Sequence, residues 1–320
     1  MDSGLGSPVE QGVVVMRSFI AMAVPLGVAA FFLAGAVQVV MRRSPSNRPS
    51  LAAQALYLLG VCLVSNVAYP WWRTGLMIRV ITVLVIGLAG LLSSYAALRG
   101  ISSLTQLIPL RPVTWGFALL GVGLLLVGIA IVSWPIPSGV ALALPVSDGT
   151  WYVAHGGPLN IINHHRSVIE QQFGLDLTRL PTSNWTAQAK GATPSAYPSW
   201  GSAVIAPIDG VVVSTVGGLP DMDVGVRDTQ NPAGNCIVLK TSEGVHIVIA
   251  HLQQDSILVD AGQRVRQGDV LGKVGNSGQT TEPHIHIHAM TKHQDGAWVG
   301  IPIYMNGRSP RRGHLLKVGR

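Results

Sequence analysis

The sequence predicts a fold in two parts: an α-helical transmembrane bundle of four spans, then a mostly-β, antiparallel-sheet domain. Three observations lead there. The 320 residues have a mean hydropathy of +0.41 and only 12% charged residues, more apolar than a wholly soluble chain needs. The charge is lopsided. Residues 1–134 hold 8 of the 22 Lys/Arg and 2 of the 15 Asp/Glu, so the formal +7 divides as +6 and +1, and all ten histidines follow residue 134. Beyond residue 143, apolar residues come in short Val- and Ile-rich runs broken by Gly, Pro, Asn and Asp, the pattern of strands and turns.

The spans are 18–40, 51–69, 76–98 and 113–134, each long enough at 1.5 Å per residue to cross a hydrocarbon core of about 30 Å. Trp71, Trp72, Trp115 and Trp134 stand at span ends, where indoles favour the headgroup region. Arg42, Arg43, Arg48, Arg99 and Arg111 occupy the first and third loops, against Arg17 and Arg73 on the other side. This bias predicts that loops 41–50 and 99–112 are cytoplasmic and that both termini and the β domain are extracytoplasmic. The expected location is the cell (inner or plasma) membrane, as a multi-pass protein. The first span is too long for a cleavable signal peptide, and three more follow it. The spans hold no Asp, Glu or His, the usual marks of an ion path, so they read as an anchor in the lipid bilayer rather than a transporter.

Residues 135–142 read as a linker and 143–320 as the β domain. That domain is near neutral, which argues against nucleic acid as a partner. Cys62 falls in a span and Cys236 in the β domain, so no disulfide framework is expected. Nothing specifies a protein partner.

Within the β domain, "AVIAPIDGVVVSTVGG", "NCIVLKT", "GVHIVIAHL", "DVLGKVG" and "HIHIHAM" read as strands, bounded by turn signals such as Asp209-Gly210, Gly217-Gly218 and Gly278. No amphipathic helical pattern of useful length appears. The polar stretch from Ser183 to Ser202 reads as a groove wall or loose linker, and the basic tail "GRSPRRGHLLKVGR" as a solvated end.

The strongest chemical signal is "PHIHIH". Strand side chains alternate, so His284, His286 and His288 project together while Ile285 and Ile287 face the core. Three aligned imidazoles on an Ile-rich strand point to metal binding or proton transfer. Neighbours two residues apart cannot alone surround one ion, so further ligands must come from elsewhere. The candidates are His164, His165, Asp176 and His251.

These residues carry a resemblance. "GKVGNSGQTTEPHIH", "APIDGVVV", "NCIVLKTSEGVHIVIAHL" and "AGQRVRQGDVLGKVG" are similar, in order and rough spacing, to lysostaphin/LytM-type zinc metallopeptidases, over about residues 145–305. The resemblance implies a mostly-β lysostaphin-like peptidase domain that cleaves peptides of peptidoglycan, with Zn²⁺ as cofactor. It makes Asp176 and His286 metal ligands, and it makes His251 and His284 the catalytic pair beside the metal-bound water. One position departs: Gln172 stands four residues before Asp176, where the family has a ligand His. An upstream N-x-H resembles a variant subset of the family. That pattern makes His165 the replacement, with Asn163 and Gln172 near it and His164 as runner-up. His288 is expected to orient a neighbour or line the groove, and His155, His246, His293 and His314 are expected to be ordinary polar residues. The expected function is a membrane-anchored zinc metalloendopeptidase acting on peptidoglycan. The alternative, favoured by Gln172, is an inactive scaffold or activator of another cell-wall hydrolase.

Overall fold

The computed structural model describes residues 133–181 and 193–318, with a few isolated positions between 122 and 129. The first three predicted spans, most of the fourth, and residues 182–192 of the predicted groove wall lie outside the described residues. Among the described residues no helix is long and apolar enough to cross a membrane.

The described chain opens with β1 (Val140–Ala141) and β2 (Thr150–His155). Two 3₁₀ turns, His164–Ser167 and Ile169–Gln171, lead to β3 (Leu175–Arg179). A third 3₁₀ turn, Pro194–Ala196, precedes β4 (Ala203–Ile205), β5 (Gly210–Val216), β6 (Asn235–Lys240) and β7 (His246–Leu252). Then follow β8 (Arg264–Val265), β9 (Val270–Lys273), β10 (Ile285–Lys292), β11 (Trp298–Ile301), β12 (Ile303–Tyr304) and β13 (Leu315–Lys317).

Nine strands form one sheet in the order β13-β2-β3-β10-β7-β6-β5-β8, with β11 also pairing β10. Every pairing within it is antiparallel. The small pair β4–β9 is antiparallel, and β1–β12 is parallel. Every run expected to be a strand is one.

Alternation along the strands divides the sheet into two faces. Trp151 and Val153 of β2, Leu175 and Leu177 of β3, Ile285 and Ile287 of β10, and Ile247 and Ile249 of β7 are buried in one apolar cluster. Val204 of β4, Leu271 of β9 and Ile303 of β12 belong to the same cluster, so the two small pairs cover that face. The alternate positions, Asp176 and Thr178 on β3 and His286 and His288 on β10, are buried polar groups on the other face. The site stands on the back of the core.

Two segments are ordered where the sequence reading expected a linker and a solvated tail. β1 lies inside the stretch read as a linker, with Val140 and Leu142 buried against the core. The tail expected to be solvated instead contributes β13, whose Leu316 pairs with Trp151 of β2. Alternating "LLK" at the chain end is too short for periodicity to register, and the free edge of β2 supplies its partner. Residues 193–202 pack onto the domain, with Tyr197, Ser199 and Ser202 buried.

Leu177 is fully buried and sits on the core side of the strand that carries Asp176. Leu177→Ala is expected to destabilise the domain by about 2–5 kcal/mol through lost burial and a cavity. Urea unfolding followed by near-ultraviolet circular dichroism would show this as a lower midpoint with unchanged slope.

Candidate metal centre

A single cross-strand row runs over the polar face. His155 of β2 pairs with Asp176 of β3, Asp176 with His286 of β10, and His286 with Ala250 of β7. Directly opposed residues share a face, with Cβ atoms about 4.5–5.5 Å apart. Register alone therefore sets Asp176 beside His286. His155 reaches this face because the β2–β3 register shifts between Val153 and His155. Without that bulge its alternation with buried Val153 would send it into the core, and re-aiming a side chain is what bulges do next to functional sites. The expectation that His155 is an ordinary polar residue is therefore corrected: it stands against the site. Period-two reading cannot find a bulge, which is why the sequence hid it.

His165 arrives from the first 3₁₀ turn. Asn163 caps this turn, its Oδ1 accepting from the His165 N–H at 3.1 Å. The Asn163 Nδ2 donates to the carbonyls of Gly157, Gln172 and Gly174 at 3.0, 3.4 and 3.3 Å, tying the turn to the start of β3. Gly174 is needed there, since a Cβ would come within 3.1 Å of the His286 ring and 3.4 Å of the His165 ring. Gln172, at the family's ligand position, turns away. Its Nε2 donates to the Gly300 carbonyl at 3.1 Å and its Oε1 accepts from Arg166 at 3.1 Å.

The result is a convergence on one oxygen. His165 Nε2 and His286 Nδ1 each lie 2.9 Å from Asp176 Oδ1, and His284 Nε2 lies 3.6 Å from it. The donor atoms of His165, Asp176 and His286 all lie within 4.8 Å of one another, and all three residues are buried. His286 Nε2 meets His288 Nδ1 at 2.9 Å, so His288 orients a neighbour, one of its two expected roles.

His251 and His284 stand together, ring centroids 4.9 Å apart, with His251 also 5.9 Å from His286. Both are oriented through Nδ1: His251 donates to the Ser277 carbonyl at 2.9 Å and His284 to the Glu282 carbonyl at 2.8 Å. The segment "GNSGQTTEPH" is thus the scaffold of this pair. Ser277 Oγ accepts from the Asn235 N–H and donates to the Leu252 carbonyl, fixing the loop to β6 and β7. Gly278, at φ 86°, lets it pass close to Gly234, whose N a Cβ would meet at 2.4 Å. His251 itself has φ 63°. Left-handed backbone costs an L-residue about 1–2 kcal/mol, and here hydrogen bonds to Ala233, Gly275 and Ser277 hold it. The sequence carries no signal for that conformation.

Charge follows from burial and proximity. Burial alone would raise the Asp176 carboxyl, but the His165 and His284 imidazoles outweigh it and hold Asp176 well below the usual carboxylate range. Burial, aided by His165, pushes His286 down to about 3, and burial holds His288 at about 4 and His155 at about 3. Burial and the neighbouring His284 push His251 well below an ordinary imidazole. His284 moves the other way: burial opposes its charge, but Asp176 outweighs burial and raises it.

These groups line a groove of about 730 Å³, with Arg227 and Glu282 on its wall. His164 lines it too, stacked on His165 with centroids 3.9 Å apart. His246 packs on Trp298, and His293 pairs with Asp295 at an exposed position, the ordinary roles expected of them.

Residues 193–297 match the profile of Peptidase family M23. The match takes in His251, His284 and His286 and begins after His165 and Asp176, the side on which Gln172 departs from the pattern. The DD-carboxypeptidase/endopeptidase Mpg of Neisseria meningitidis is 39% identical over 56 residues, 18% of this chain and 12% of that protein. The peptidoglycan DD-endopeptidase ShyB of Vibrio cholerae is 27% identical over 178 residues, 55% of this chain and 39% of that protein. The chain thus spans well under half the length of both relatives. Among solved structures, the catalytic domain of lysostaphin from Staphylococcus simulans is 19% identical with a TM-score of 0.28, covering 48% of this chain and 88% of that one. A zinc containing peptidase from Vibrio cholerae is also 19% identical, with a TM-score of 0.26, covering 54% and 36%. The histidines of the glycine-rich loop and of the alternating strand thus lie inside a stretch that matches Peptidase family M23.

Proposed function

We propose that this protein is a membrane-anchored zinc metalloendopeptidase that hydrolyses peptide bonds of peptidoglycan, its β domain held at the extracytoplasmic surface by four spans. The observation that carries the reading is the meeting of His165 Nε2, Asp176 Oδ1 and His286 Nδ1, with His251 and His284 alongside. Two imidazoles and a carboxylate are a zinc donor set that keeps a coordination position open. Their 2.9 Å separations are close to the roughly 3.4 Å edge of a tetrahedron with ~2.1 Å bonds, so a small outward relaxation admits the ion. Bound there, zinc supplies Lewis acidity, which activates water and polarises a carbonyl.

The side chains do the rest. With Nδ1–H given to a carbonyl, His251 and His284 each offer Nε2 as the basic nitrogen. Asp176 favours protonated His284 in the metal-free site; a cation on Asp176 removes that attraction, and burial then returns His284 to a neutral base. One of the two Nε2 atoms receives the proton of the attacking water. The N–H so formed hydrogen-bonds to the oxygen that gains charge, then passes the proton to the leaving amine. Such acid–base help is worth about 10²–10⁴-fold. The peptidoglycan substrate rests on the family and on ShyB, a peptidoglycan DD-endopeptidase. The inactive-scaffold reading needs a vacancy at the first ligand, and His165 stands where that vacancy would be.

The full chain, purified in detergent and incubated with peptidoglycan, is expected to release new amine ends, and a chelator is expected to stop the release. His284→Ala or His251→Ala should lower turnover by about 10²–10⁴-fold with metal retained, whereas His286→Ala should lose the metal as well. Undiminished hydrolysis by His284→Ala would remove its role as base. No bound zinc together with no new amine ends would favour the scaffold.

Acid should loosen the metal-free domain. His155 and His286 have folded pKa values of about 3 and His288 of about 4, below the ordinary 6.5. Between pH 6.5 and about 4 the unfolded chain binds protons there that the folded chain refuses, so stability rises with pH across this window. Asp176, depressed well below 3.8, acts in the same sense at lower pH, while raised His284 opposes it near neutrality. Urea midpoints of the chelated protein should therefore fall from pH 6.5 to 4; a flat profile would contradict burial of neutral imidazoles.

A further inference from the structure

We propose that His155, His164 and Asp176 form a second divalent-cation site, joined through the Asp176 carboxylate to the site of His165, Asp176 and His286. Both triads have their donor atoms within 4.8 Å of one another, and Asp176 is the member they share. The arrangement around this carboxylate is paired. On one side the cross-strand register places His286, and His165 packs on it with ring centroids 4.5 Å apart. On the other side the register places His155, and His164 packs on it edge to face with centroids 4.2 Å apart. Each pair thus joins one histidine from a strand to one from the 3₁₀ turn.

The β2 bulge is the device that builds the second pair. It brings His155, rather than the alanine before it, opposite Asp176. The ion pairs of Asp176 with His165, His284 and His286 all run through Oδ1, so Oδ2 is the oxygen a bridging carboxylate presents to a second ion. The two imidazole pairs are neighbours, with ring centroids 3.9 Å apart for His164 and His165 and 6.2 Å apart for His155 and His165. Imidazole and carboxylate donors suit zinc, cobalt and nickel rather than magnesium or calcium. Both His155 and His164 line the groove, so an ion enters from solvent and sits beside the bound substrate. This ion binds more weakly than the first, because His164 is exposed and the two cations repel each other.

The inference shares Asp176 with the proposed zinc site, and counting metal separates the two. The full chain in detergent, stripped by chelator and titrated with zinc to saturation, is expected to hold two ions per chain by elemental analysis. His155→Ala combined with His164→Ala is expected to hold one, with the tight-binding phase unchanged. The single variant His164→Ala, at an exposed position, guards against loss of fold and should lose the weak phase alone. Cobalt substitution should give a spin-coupled paramagnetic resonance signal in the wild type and an uncoupled one in the double variant. Saturation at one ion, or two ions retained by the double variant, would overturn the second site and leave the first standing. Saturation at none would overturn both.

Discussion

The structure depends on one carboxylate. Asp176 is buried on β3 with two imidazole nitrogens 2.9 Å from its Oδ1 and a third 3.6 Å away. A buried, isolated carboxylate would be too costly to keep ionised, so it must be neutralised by partners or take up a proton. Here the partners come from three parts of the chain: the 3₁₀ turn before β3, strand β10, and the segment just before β10. They meet because β3 and β10 are neighbours in the sheet, in the register that sets Asp176 opposite His286. A slip of one residue would face Leu175 or Leu177 toward the site and send Asp176 into the apolar cluster. The fully buried Ile285, Ile287, Leu175 and Leu177 therefore fix the register that the polar side uses.

Around that fixed pair, the less regular parts of the chain do the aiming. The Asn163 cap sets the height of His165, Gly174 gives the two rings room, and the 276–284 loop holds His251 and His284 by their Nδ1 atoms. The left-handed backbone at His251 belongs to this division of labour. It breaks the alternation of β7 one residue before the strand ends at Leu252, where the β6–β7 register also shifts, and the imidazole lines the groove. Strain of this kind persists only where surrounding bonds over-determine it, and three hydrogen bonds do so here.

Strands β5, β6, β7 and β10 of the central sheet were legible because each is a Val- or Ile-bearing run between turn residues, whereas β2 (TWYVAH) and β3 (LDLTR) lack that pattern and were not read as strands; the pairing of His284, His286 and His288 on one face followed from period two. His165 was legible only through resemblance. Nothing in "INHHRS" distinguishes His165 from His164 until the Asn163 cap fixes the turn, and then it is His165 that points inward. β1 and β13, of two and three residues, were invisible because their stability lies in partners far along the chain, Ile303–Tyr304 and Thr150–Tyr152. The role of His155 was hidden by the bulge, a local break in the alternation on which the reading relied.

The ring contacts of His286 suit a centre that gathers positive charge around Asp176. His286 touches Asp176 Oδ1 through Nδ1 and His288 Nδ1 through Nε2. In the metal-free site the contact with a carboxylate oxygen requires a proton on Nδ1, so Nε2 is the acceptor and His288 the donor. Were a cation held at the centre, His286 Nδ1 would instead offer its lone pair, Nε2 would carry the proton, and His288 Nδ1 would be the acceptor. The 2.9 Å contact between the two rings would serve either state, so the hydrogen bond between His286 and His288 would persist with its donor and acceptor exchanged. His165 obeys the same logic through Nε2, with its backbone N–H held by Asn163 in either state. Asp176 supplies the attraction in both cases. The approach of the rings to Asp176 is thus set by strand register and by the Asn163 cap, which is the condition for preorganised electrostatics.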